Sequence, residues 1–134
     1  MLMENERDIV ISIKPKYVKM ILSRRKTVEL RKSIFRKKVN RIYIYETAPV
    51  KKIVAFFPFY GFHFLYIADL WHKFGEQSGM TEKEFFGYFK KEKRGYAIEI
   101  KQLQIFSLPI DPYQRIRGFK APQSYCYIPR GILK

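Results

Sequence analysis

Cysteine is almost missing from this chain: Cys126 is the only one in 134 residues. No internal disulfide and no cysteine-based metal cluster can therefore form, which fits a reducing, cytoplasmic compartment. Long apolar runs are missing too. The longest uncharged stretch, Ile53 to Ala68, has 16 residues and is broken by Pro58, Gly61 and His63, short of the roughly 20 that a spanning helix needs. The first eight residues, Met1 to Asp8, are acidic and polar, the reverse of a secretory leader. His63 and His72 stand alone, with no acid or cysteine at metal-ligand spacing, so both read as structural or surface residues. There is no Ser-His-Asp order, no Gly-rich phosphate loop and no HExxH pattern. These absences leave no cofactor, no metal and no membrane partner to expect.

Acidic residues are scarce as well, 12 against 27 Lys and Arg, for a net charge of +15 and a pI near 10.0. A potential of that sign favours a polyanion through counterion release, although charge alone would equally suit an anionic lipid surface. The charge is concentrated. Between Lys14 and Arg41, one fifth of the chain, Lys14, Lys16, Lys19, Arg24, Arg25, Lys26, Arg31, Lys32, Arg36, Lys37, Lys38 and Arg41 face a single acid, Glu29. A solubilising face normally mixes both signs, so this window points to a localised binding patch. The Arg36-Lys37-Lys38 run reads as a loop that touches phosphates. Lys90, Lys91, Lys93 and Arg94 are offset by Glu92 and read as an exposed helix end.

The length fits one domain, and a hydrophobic content of 47% suits a folded one. Alternation at Ile9 to Lys14 predicts a strand, and Ser12 and Pro15 then mark the start of a helix over Lys16 to Arg25. Strands are predicted at Thr27 to Arg31, Arg41 to Glu46 and Lys52 to Phe57, the last covered on both faces and ended by Pro58. A helix is expected over Ile67 to Ser78, weak at Gly75 and stopped by Gly79. Thr81 and Glu84 have capping-box spacing ahead of a helix bearing Phe85, Phe86, Tyr88 and Phe89. Strands follow at Tyr96 to Ile100, Leu103 to Leu108 and Ser124 to Ile128. Strands outnumber short helices, which makes an α+β domain with a twisted or closed sheet.

Glu29 has two readings. It is either one half of an ion pair with Lys26 or Arg31 that fixes its strand, or part of a polar opening. In the opening, Lys26 and Arg31 would meet phosphate or a base edge, and Glu29 would accept from a base amino group. The aromatic run Phe56, Phe57, Phe59, Tyr60, Phe62, Phe64 and Tyr66 is most simply core with a loop folded over it. Stacking on bases is its alternative.

Ser12-Ile13-Lys14-Pro15-Lys16-Tyr17, followed by Arg25-Lys26-Thr27-Val28-Glu29-Leu30-Arg31, resembles an ASCH domain of the PUA-like superfamily. Similar segments follow at Ile44 to Val50, Asp69-Leu70-Trp71, Gly79 to Phe86 and Tyr96 to Ile100. The segment Phe119 to Tyr125 resembles a subgroup described as predicted transcriptional regulators. The likeness spans about residues 9 to 128. It implies a β-barrel of about five to seven strands with two to three short helices, and a cleft lined by the Lys26–Arg31 strand.

The resemblance also implies RNA binding or RNA-linked transcription regulation. Some ASCH proteins are enzymes, one group hydrolysing acetylcytidine and another protein cleaving RNA. The amidohydrolase group uses a lysine matching Lys26. Its threonine and glutamate positions are held here by Glu29 and Ser78, and Ser23-Arg24-Arg25 stands where a glycine is usual.

The leading expectation is a binding module for RNA, with DNA or a nucleotide as other ligands, acting as a monomer or weak dimer. Its contacts would come from Arg24, Arg25, Lys26, Thr27, Glu29, Arg31, Lys32, Arg36, Lys37, Lys38 and Arg41. The alternative is a hydrolase acting on a modified nucleoside or on RNA, with Lys26 and Glu29 catalytic; its lysine must lose its proton easily. A third reading is a protein-interaction regulator using Phe56 to Tyr66.

Overall fold

A computed structural model of the chain describes residues 6–133. Its elements run β1 (Arg7–Ile13), α1 (Pro15–Leu22), β2 (Val28–Arg31), β3 (Val39–Glu46), β4 (Lys52–Pro58) and β5 (His63–Tyr66). They continue as α2 (Ile67–Phe74), α3 (Glu82–Phe89), β6 (Arg94–Glu99), β7 (Gln104–Ile110), α4 (Pro112–Arg115) and β8 (Tyr125–Pro129). The class is α+β, as expected. The strands form two open sheets, and the chain divides into two compact units, each holding one of them.

The first unit comprises residues 6–19, 35–59 and 102–133. Its five-stranded sheet has the order β7-β4-β3-β1-β8, with β1 and β3 parallel and every other pair antiparallel. A parallel pair needs a long crossover, and the chain from α1 through β2 supplies it. Central strands are covered on both sides, so the alternation read from sequence does not separate inside from outside. Ile42, Tyr43, Ile44 and Tyr45 are all buried. One face collects Val10, Tyr43, Tyr45, Ile53, Ile128 and Leu133, with Phe56, Phe106 and Phe119 against them. The Tyr45 phenol meets the Tyr113 hydroxyl at 2.9 Å; burial, and then that bond, push its pKa upward.

Asp8 is fully buried in this unit. Its Oδ1 accepts from the Arg41 amide at 3.0 Å and its Oδ2 from the Gly131 amide at 2.8 Å. One carboxylate thus ties β3 and the C-terminal turn to β1.

The second unit comprises Met20–Ile34 and Tyr60–Lys101. An antiparallel sheet of order β2-β6-β5 presents Val28, Leu30, Leu65 and Ala97 to Leu70 and Phe74 of α2 and to Phe85 and Phe89 of α3. Gly95 lets the helices come this close, because a Cβ there would lie 2.5 Å from the Phe89 ring and 2.9 Å from Leu70. The expected helix over Ile67 to Ser78 breaks at its weak point: α2 stops at Phe74, and a single 3-10 turn, Gly75–Gln77, follows. The capping box is present, with Thr81 N donating to Glu84 Oε1 at 2.8 Å and Glu84 N to Thr81 Oγ1 at 3.1 Å. β5 and α4 are the elements the sequence did not announce.

His63, expected to stand alone, contacts Glu99 across the sheet at 2.9 Å. That hydrogen bond is the main cause holding the Glu99 carboxyl below its ordinary value. A lowered folded-state pKa adds stability that is complete above the unfolded carboxylate's titration and lost as pH falls through the folded value. His63→Ala should therefore flatten the decline of the melting temperature on acidification, read by thermal unfolding across the acid range. Asp8→Ala should strand two buried amides and cost about 3 kcal/mol, read by urea unfolding.

Candidate nucleic-acid interface

The candidate residues are divided between the units: Arg24 to Lys32 belong to the second, and Arg36, Lys37, Lys38 and Arg41 to the first. In the second unit, α1 ends in a tight turn in which the amides of Arg25 and Lys26 both donate to Met20 O, at 2.9 and 3.0 Å. Arg24 sits in that turn at φ 68°, a left-handed conformation that favours glycine. It lies within Ser23-Arg24-Arg25, the segment where the resemblance implies a glycine. Thr27 is tied on both sides, its amide donating to Gln77 O and its carbonyl accepting from Ile100 N, each at 2.9 Å.

β2 then points Val28 and Leu30 into the core, and Glu29 and Arg31 to the opposite face. Arg31 Nη2 lies 2.8 Å from Glu29 Oε2, and Lys26 Nζ lies 3.3 Å from Glu29 Oε1. The three side chains are only 4%, 10% and 13% exposed for Lys26, Glu29 and Arg31. Lys26 Nζ also donates to Ser78 O at 2.6 Å. That carbonyl is aimed by its own turn: Ser78 Oγ donates to Gly75 O at 2.7 Å and accepts from Met80 N at 3.1 Å. Gly79, at φ +74°, closes the turn, and a Cβ there would sit 3.3 Å from the Lys26 stem and 2.8 Å from Met20 Sδ. The structure thus joins Lys26, Glu29 and Ser78, the three positions compared with the amidohydrolase group, with Glu29 also bonded to Arg31.

The other cations stand outside this cluster. Arg24, Arg25, Lys32, Arg36, Lys37 and Lys38 are exposed, and among the described residues they form no ion pair. Lys32 Nζ lies 4.8 Å over the Tyr88 ring. In the first unit, the Tyr127 hydroxyl accepts from the amides of Arg36 and Lys37 at 2.9 and 3.2 Å. Buried Phe35 anchors the same loop edge-on against Phe59 and Tyr125. The basic loop is thereby held with its side chains in water. Arg41 is half-buried, lies 4.4 Å over the Phe56 ring and donates to Tyr43 Oη at 3.3 Å. Among the described residues, no group of three or more His, Cys, Asp and Glu is placed to hold a metal, and no helix is long and apolar enough to cross a membrane.

The aromatic run divides at Pro58. Phe57 is core, whereas Tyr60, Phe62, Phe64 and Tyr66 are 68%, 47%, 44% and 56% exposed. Phe64 pairs directly across β5–β6 with Tyr96, and Tyr66 with Arg94. A concavity of about 490 Å³ opens there, lined by Phe64, Tyr66, Tyr96, Lys32, Lys93 and Arg94, together with Glu92. Its signal in the sequence was the period-two spacing of Phe62, Phe64 and Tyr66 around His63 and Leu65.

No protein-family model matches the chain. It is 30% identical over 127 residues to an ASCH domain-containing ribonuclease of Zymomonas mobilis, covering 92% of this chain and 86% of that protein. This chain belongs to the ASCH domain family. The crystal structure of ASCH from Zymomonas mobilis superposes on this ASCH chain with a TM-score of 0.85 at 28% identity, over 97% of this chain and 92% of that one. A tyrosine-to-phenylalanine variant of that protein gives 0.84 at 27% identity, over 96% and 94%. The ASCH chain is also 27% identical over 126 residues to the large ribosomal subunit protein uL22 of Ureaplasma parvum. That match takes in 93% of this chain and 40% of the longer protein.

Removing one member of a buried ion cluster leaves the others uncompensated, whereas removing all charges together can be neutral. Glu29→Gln should destabilise the protein by about 3 kcal/mol. The triple variant Lys26→Met, Glu29→Leu, Arg31→Met should lose less, and chemical denaturation of the two side by side is the measurement.

Proposed function

We propose that this ASCH domain binds RNA, and that its exposed basic turns carry the contacts to the phosphate backbone. The observation that carries this reading is the division of labour within the basic stretch. Glu29 takes up Lys26 and Arg31, while Arg24, Arg25, Lys32 and the Arg36–Lys38 loop remain exposed and, among the described residues, form no ion pair. A left-handed backbone at Arg24 costs about 1 kcal/mol relative to glycine, which argues that a cation is useful at that turn. The names of the relatives, a ribonuclease and a large-subunit ribosomal protein, support RNA over DNA or lipid as the polyanion.

A second reading, cleavage of RNA, is favoured by the name of the Zymomonas relative. Incubation of single-stranded RNA with the protein, followed by mass spectrometry of the products, separates it from binding alone. Fragments formed by the native protein would favour cleavage, and their loss in a Lys26→Ala variant that circular dichroism shows to be folded would favour Lys26 taking part in it.

Binding through phosphates makes the logarithm of the affinity fall linearly with that of salt concentration, by roughly 0.7 per phosphate contacted on a single strand. Replacing Arg36, Lys37 and Lys38 by Gln should reduce that slope by about 2 with the melting temperature unchanged. Arg24→Gly should bind more weakly yet be about 1 kcal/mol more stable. Fluorescence anisotropy over a salt series measures the first, and urea unfolding with anisotropy the second. A salt-independent affinity would overturn the reading.

A further inference from the structure

We propose that the exposed β5–β6 part of one sheet face, which carries Phe64, Tyr66, Arg94 and Tyr96, is a stacking platform for unpaired RNA bases, an inference that rests on the RNA reading and names the part of the RNA this face takes. Register builds the platform. Phe64 and Tyr96 are directly opposed across β5 and β6, which brings their rings to 4.4 Å between centroids at an interplanar angle of 23°. Phe62 and Tyr96 form a T-shaped pair with 5.2 Å between centroids. On the next cross-strand pair, the Arg94 guanidinium lies 4.4 Å over the Tyr66 ring and donates to its hydroxyl at 2.9 Å. Two flat plateaus, one of paired rings and one of a guanidinium on a ring, therefore lie side by side.

The neighbouring core shows that burial was available to such side chains. Leu65, on the other side of β5, packs against the cluster that holds Phe74, Phe85 and Phe89, while Phe64 and Tyr66 on either side of it stay about half exposed. Contiguous exposed rings are uncommon unless they meet a ligand.

Charge selects the ligand. The concavity beside the rings holds Lys32, Lys93 and Arg94 against the single acid Glu92, and Lys90 and Lys91 are exposed just before it. Stacked rings bordered by cations suit a strand whose bases lie flat and whose phosphates run along the rim. A volume of about 490 Å³ suits a small flat ligand such as a base. Bases held in a duplex cannot enter it, so the face distinguishes single-stranded from paired RNA, whereas the exposed basic turns act on either.

The test uses the full chain with two probes, a labelled oligouridylate and a blunt RNA duplex of equal charge, read by anisotropy. Stacking contributes about 1–3 kcal/mol per base. Phe64→Leu and Tyr96→Leu should thus each weaken oligouridylate binding by about tenfold and leave duplex binding unchanged. Phe64→Trp supplies a readout independent of those substitutions: its emission should be quenched by saturating oligouridylate and not by the duplex.

Unchanged oligouridylate affinity in the leucine variants, equal losses on both probes, or an unquenched Trp at position 64 would each overturn the platform. Retained duplex binding would leave the RNA reading standing and leave this face to a protein partner. Native protein that binds neither probe would overturn both.

Discussion

Glu29 is the anion on which the second unit depends. Two of the chain's cations, Lys26 and Arg31, are buried beside it, and neither is tolerable there without an opposite charge. The carboxylate serves both at once. By accepting from both sides it fixes the outward face of β2, and through Lys26 it reaches the Ser78 carbonyl and so the turn that ends at Gly79. The basic stretch is therefore not one surface. Its most interior members stabilise the fold, and its outermost ones stay in contact with solvent.

Local signals were legible where the determinant was local. Pro15 starts α1, Pro58 ends β4, Thr81 and Glu84 build the cap they spelled out, and Gly79 adopts the conformation its position implied. Of the two readings of Glu29, the structure shows the ion pair, and with both cations rather than one. What could not be read depends on partners far along the chain. The carbonyl that receives Lys26 lies 52 residues away, and no spacing rule connects them. The aromatic run is rich enough in rings that core and surface look alike in sequence; only the pairing of β4 with β3 and of β5 with β6 separates Phe57 from Phe64. Charge alone groups Arg41 with the binding cations, and only the fold brings it to the Phe56 ring and the Tyr43 hydroxyl.

The two kinds of exposed feature differ in what they can contribute. Cations on anchored turns attract any nucleic acid and set its approach. Flat rings respond to whether bases are free, a property of RNA conformation rather than of charge. The family to which this chain belongs includes a protein named as a ribonuclease. Under the proposed reading this chain's own side chains divide the task, with general attraction by the turns and conformational discrimination by the sheet.

Phe64 and Leu65 differ only in the side of β5 to which each points, and the pairing of β5 with β6 sets that phase. A slip of the pairing by one residue would exchange their sides, sending Leu65 to water and a phenyl ring towards the cluster of Leu70, Phe74, Phe85 and Phe89. The aliphatic side of the strand therefore holds the aromatic side outward. Any substitution that loosens Leu65 in the core loosens the orientation of the rings as well.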